Sequence, residues 1–140
     1  MDKKTDELMQ ILHHQPNANT YLKENQNELL HQTLTELLQD YLTSKNLKKA
    51  DVIRDANLDR VYGYQIFDGK HKPSRDKLLC LAFGLHLTVS ETQLLLKSAQ
   101  LAPLYPRVMR DVLILECLFQ GKDIFFCNEN LESHNQTLLQ

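Results

Sequence analysis

Between residues 59 and 65 the chain places Asp59, Arg60, Val61, Tyr64 and Gln65, side chains whose groups match the edges of nucleic-acid bases. An arginine can pair with guanine through two parallel hydrogen bonds, a glutamine amide can do the same with adenine, and a valine can touch a thymine methyl. Asp59 has two readings, a helix cap or an acceptor for the cytosine amine. On both sides stand groups suited to phosphate: Lys48 and Lys49 before this run, Lys70, His71, Lys72, Ser74 and Arg75 after it, and the hydroxyl of Tyr62 within it. Cations, hydroxyls and helix starts are what a phosphate backbone calls for.

Such side chains work only if a rigid element presents them. Lys48 to Ala56 reads as a short helix with Val52, Ile53 and Ala56 on one face, and Asn57 tolerates the left-handed turn that ends it. Asp59 caps a second helix reaching Phe67 or Asp68, Gly69 closes it, and Pro73 forbids its continuation. Two short helices joined by a tight turn are the layout of a helix-turn-helix. Before them, Leu34, Leu37, Leu38, Tyr41 and Leu42 form one buried stripe. After them, Ser74 caps a helix ended by Gly84, and Ser90 with Gln93 makes a capping box for the next.

The apolar positions Val52, Ile53, Ala56, Leu58 and Ile66, the Asp-Gly-Lys at 68–70, Lys72-Pro73-Ser74 and the run Leu81 to Leu85 resemble the Cro/repressor-type helix-turn-helix of the xenobiotic-response-element (XRE) family of transcription regulators. The resemblance covers roughly residues 34 to 101. The strings 58–67 and 104–107 are similar to a subgroup of short Firmicutes-type regulators with extra helices at both ends. It implies an all-α chain, a five-helix Cro/repressor-like DNA-binding domain with additional N- and C-terminal helices, and a two-fold partner on a near-palindromic DNA site. Three positions depart from the family: Ile53 replaces a small residue, Asn57 a glycine, and Gly63 a β-branched residue. If Ile53 faces Gly63 where the helices cross, large and small have changed sides at constant volume.

The remaining segments read as an N-terminal helical arm at 1–33, a C-terminal helical pair at 102–131 and a flexible polar tail at 132–140, with no internal repeat. Residues 112–119 are apolar nearly all round, which implies a covering partner. Val112, Leu115, Leu118, Phe119, Phe125 and Phe126 are the expected homodimer interface, the alternative being that this pair packs over its own chain.

Net charge is −2, yet residues 45–77 hold nine Lys/Arg against five Asp, so a basic segment sits in an acidic remainder. Three cysteines among apolar neighbours read as free thiols of a reducing compartment. There is no 18-residue apolar run and no secretory leader, so the expected location is cytoplasmic, with no membrane partner. Six His and three Cys lack metal-ligand spacing, and no phosphate-cradling Gly-rich loop or triad spacing is present. The expectation is a non-enzyme without cofactor, whose partner is double-stranded DNA and whose small-molecule effector, if any, is not encoded legibly. A helical adaptor that keeps the scaffold but binds protein is the competing class.

Overall fold

The computed structural model describes residues 4–26 and 32–140, and all regular structure among them is helical. Residues 1–31 and 32–140 form two separate compact units. In the first, α1 (Thr5–His14) and α2 (Ala18–Glu24) contain no buried side chain, and Asn17 caps α2 by accepting from Thr20 N. Leu29 and Leu30, within the expected N-terminal helical arm, lie outside the described residues.

The second unit comprises α3 (Leu34–Ser44), α4 (Lys49–Asp55), α5 (Arg60–Phe67), α6 (Arg75–Gly84), α7 (Val89–Ser98), α8 (Met109–Phe119) and α9 (Ile124–Ser133). Its core runs unbroken from Leu37 on α3 to Leu139 beyond α9. The expected boundary at 101/102 therefore does not separate two packed bodies, because α8 and α9 bury Leu113, Ile114, Cys117, Leu118, Ile124, Cys127 and Leu131 against the same core.

Local signals set most element ends. Asn57 and Gly69 are left-handed, with φ of 56° and 78°, and the side chains of Asp59 and Ser74 cap α5 and α6. Gly84 ends α6 as expected, but without a left-handed turn. It is the last residue of α6, and a β-carbon there would sit 2.3 Å from the Val52 carbonyl oxygen, so its smallness serves the packing of α6 on α4; the left-handed residue is His86. The capping box is likewise Thr88 with Glu91, not Ser90 with Gln93. Glu91 also accepts from Lys45, the residue that follows α3, at 3.1 Å; burial alone would raise its carboxyl, but the Thr88 amide and Lys45 hold it below the usual range.

The Ile53/Gly63 exchange is realised: a β-carbon on Gly63 would stand 2.7 Å from Ile53 Cγ2. Gly63→Leu is expected to destabilise by about 1–3 kcal/mol through overpacking. Shortening the facing side chain, in Ile53→Ala/Gly63→Leu, should recover part of that loss, as read by urea denaturation. Additive losses in the double variant would show that the two residues do not share a packing layer.

Residues 75–104 recur at 110–139 with a shift of 35 positions, which corrects the expectation of no repeat. Thr88 and Asp123 are N-caps. His86 and Gly121 are left-handed, as are Gln100 and Asn135. Leu87 N to Ala82 O is matched by Lys122 N to Cys117 O, and Leu101 N to Leu96 O by Gln136 N to Leu131 O.

The two helical hairpins, α6–α7 and α8–α9, meet through reciprocal ion pairs: Arg75 reaches Asp111 at 2.9 and 3.1 Å, and Arg110 reaches Asp76 at 2.9 Å through both terminal nitrogens. Accordingly α6 packs on α9 and α7 on α8. Such exchange of equivalent contacts is the mark of an approximate two-fold relation. Residues 132–140 are not a free tail: Leu139 is 1% exposed, Leu138 packs on the core, and Arg110 Nε donates to Thr137 O at 2.9 Å.

Candidate nucleic-acid interface

Helix α5 is sorted by the α4 crossing. Gly63, Ile66 and Phe67 face the core, which leaves Arg60 and Val61 projecting outward and Tyr64 and Gln65 at the half-buried margin. Val61 is 64% exposed. Arg60 stands 5.9 Å from the Tyr64 ring, a cation–π distance, so both could approach one partner together. Asp59 is exposed and accepts from Tyr62 N at 3.0 Å; of its two expected roles, the cap is the one this geometry contains.

The flanking groups divide. Lys48 is exposed at the start of α4, while Lys49 is half-buried with its ammonium 5.8 Å from the Phe67 ring. Lys70, His71 and Lys72 are exposed in the loop after α5. Tyr62 is half-buried, its ring stacked on His71 at 5.4 Å and approached by the Lys77 ammonium at 5.3 Å, so Tyr62 braces this loop against α6. Ser74 spends its oxygen on Lys77 N, as the α6 cap. Its hydroxyl proton is still free to donate.

Arg75 departs from expectation. Its guanidinium is consumed by Asp111 and by the carbonyls of Ala102 and Pro103, all at 2.9–3.1 Å, so it joins the two hairpins and is withdrawn from the phosphate set. Arg54 is exposed yet held between Asp51 and Asp55 at 3.3 and 3.1 Å, which neutralises it locally.

No family model, curated protein or solved structure matches the chain significantly. The functional assignment therefore rests on the residues themselves.

Of the expected dimer residues, Val112, Phe119, Phe125 and Phe126 are exposed, Phe119 to 74%. Leu115 is half-buried against the core. Leu118 is a correction: it is 8% exposed and belongs to the core, because α8 buries Leu113, Ile114, Cys117 and Leu118 as one face. The helix that reads as apolar all round is thus largely satisfied within its own chain, and only one stripe stays open.

All three cysteines are buried free thiols. Burial pushes Cys80 up to about 11, and burial first, then proximity to Cys117, pushes Cys127 further up. A thiol so disfavoured as thiolate is a poor nucleophile and a poor ligand. Among the described residues no group of three His, Cys, Asp or Glu is placed to hold a metal, and no helix is long and apolar enough to cross a membrane.

The residues that sequence reasoning missed are Arg110 and Asp111. Their signal was available: Arg-Asp, one further residue and then two aliphatics occur at 75–79 and again at 110–114.

Proposed function

We propose that this chain is a sequence-specific transcription regulator that lays α5 into the major groove of double-stranded DNA, as a homodimer on a near-palindromic site. One observation carries the reading: α5 keeps its glycine and apolar residues on the core and turns Arg60 and Val61 outward, with the exposed cations Lys70 and Lys72 in the loop that directly follows. Arg60 and Gln65 are the proposed readers of guanine and adenine, Val61 of a thymine methyl, and Tyr64 the platform that holds Arg60. Lys48, Lys70, His71, Lys72 and the Ser74 hydroxyl are the proposed phosphate contacts. Val112, Leu115, Phe119, Phe125 and Phe126 are the proposed contact between copies, since Val112 and the three phenylalanines are left exposed on α8 and α9.

The test is selection of bound fragments from a random DNA pool, followed by affinity measurements at two salt concentrations. Arg60→Ala is expected to lose about 1–3 kcal/mol of discrimination at one base pair. Lys72→Ala should weaken binding to every sequence alike and reduce the salt slope by about one. Equal losses from both variants on every sequence would remove the division into readers and phosphate contacts. The same exposed phenylalanines favour a second reading, an adaptor for a protein partner. Affinity for DNA that shows no fall with salt would favour it.

A further inference from the structure

Helices α4 and α5 border an open groove with an apolar floor of Ala50, Ile53 and Leu58, and each side of it carries one arginine, Arg54 from α4 and Arg60 from α5. The two arginines are held differently. Arg60 has its guanidinium 5.9 Å from the Tyr64 ring, and like Lys48, Lys70 and Lys72 it has no carboxylate partner among the described residues. The Arg54 side chain is 71% exposed and is nevertheless engaged twice, Nη1 with Asp51 Oδ1 at 3.3 Å and Nε with Asp55 Oδ1 at 3.1 Å.

The contact with Asp55 says how Arg54 lies. Consecutive helical residues do not face each other, so an arginine that reaches the aspartate next to it has its guanidinium folded back onto α4 instead of extended away from it. Asp55 is approached in turn from the α6–α7 turn, where His86 Nε2 stands 3.9 Å from its other oxygen. Exposed ion pairs of this kind are weak enough to be exchanged for a better anion. A DNA phosphate is such an anion, because it can take two N–H groups of the fork at once, whereas Asp51 and Asp55 take one nitrogen each.

We propose that Arg54 is a DNA-backbone contact held in reserve: in the free chain Asp51 and Asp55 clamp it, and on the target site it leaves them for a phosphate beside the base that Arg60 reads. The inference rests on the proposed insertion of α5 into the major groove. The clamp makes the contact selective. On a random duplex α5 is not seated and no phosphate is fixed opposite Arg54, so giving up two carboxylates gains little and the arginine stays on α4. Asp51 and Asp55 thus lower the affinity for wrong sequences while touching no base.

The experiment is a double-variant cycle on the full chain, with fluorescent duplexes carrying either the selected site or a scrambled one. Asp51→Asn/Asp55→Asn is expected to raise affinity for the scrambled duplex by about tenfold and to steepen its salt slope by about one, the mark of one added phosphate contact. The same two changes made together with Arg54→Gln should raise it by no more than about twofold, the part due to removing negative charge at a distance. Arg54→Gln alone should weaken the selected site, flatten its salt slope by about one and leave the scrambled duplex nearly unchanged. All three side chains are at least 38% exposed, so the variants are expected to melt like the unaltered chain. Equal gains from the aspartate changes with and without Arg54→Gln would overturn the clamp, as would an unaltered slope for Arg54→Gln on the selected site. Either result leaves the reading by α5 standing, whereas absence of affinity for any duplex at low salt would remove that reading and the clamp with it.

Discussion

Asp111→Ala is expected to cost about 3–5 kcal/mol of stability, the range for removing one partner of a buried ion pair. Asp111 is 5% exposed and serves three donors, two from Arg75 and the Tyr105 amide. Its loss leaves the Arg75 guanidinium, a quarter exposed, with the carbonyls of residues 102 and 103 alone. The Tyr105 amide loses its acceptor as well. Because Arg75 retains some access to water, the lower end of the range is the better expectation. Asp51→Ala is the control, since its pair with Arg54 is exposed on both sides and such pairs contribute about 0–1 kcal/mol. Chemical denaturation that gave the two variants equal midpoints would show that the hairpins are held by apolar packing alone.

Gly84→Ala is expected to lose about 2 kcal/mol despite a gain in helix propensity of about 1 kcal/mol, because overpacking a closed layer costs about 1–3 kcal/mol or more. The sign is decided by what the new methyl would meet. Its neighbours are the Val52 carbonyl oxygen at 2.3 Å and the Ala56 amide nitrogen and β-carbon at 3.0 Å, and backbone cannot rotate away as a side-chain tip can. Val52 O already accepts from Ala56 N at 2.8 Å, so moving α4 strains its last turn. Since α4 supports α5, the proposed DNA binding should weaken together with the fall in melting temperature. Gly121→Ala isolates the other role of glycine: nothing lies within 4 Å, but φ is +68°, and the expected loss is the left-handed penalty of about 1 kcal/mol. A thermal shift for Gly84→Ala no larger than that for Gly121→Ala would remove the close-approach argument.

Wherever one residue's own chemistry decides the local conformation, the element was readable in advance. Asn57 and Gly69 turn left-handed, Asp59 and Ser74 cap, and Ile53 meets Gly63. Two equally good local patterns defeat that logic at α7. Thr88-x-x-Glu91 and Ser90-x-x-Gln93 both describe a capping box, and the buried Leu87 with left-handed His86 selects the first. The tail misled for a related reason: polar neighbours hide Leu138 and Leu139, whose burial requires a groove built by α8 and α9.

The repeat escaped because its conserved element is geometry. His86 matches Gly121, Thr88 matches Asp123, and Gln93 matches Asn128, pairs that do the same backbone work with different side chains. Little identity survives such exchanges.

By itself the sequence determined the all-helical class and the turn and caps that frame α5, since each follows from periodicity or from one residue's conformational preference. Only the tertiary structure decided that Arg75 joins the hairpins, that Leu118 is core, and that residues 137–139 are seated in a groove. An arginine in a basic loop looks the same whether its partner is a phosphate or an aspartate 36 residues away, because a side chain's partner is set by where folding brings the chain and not by its neighbours along it.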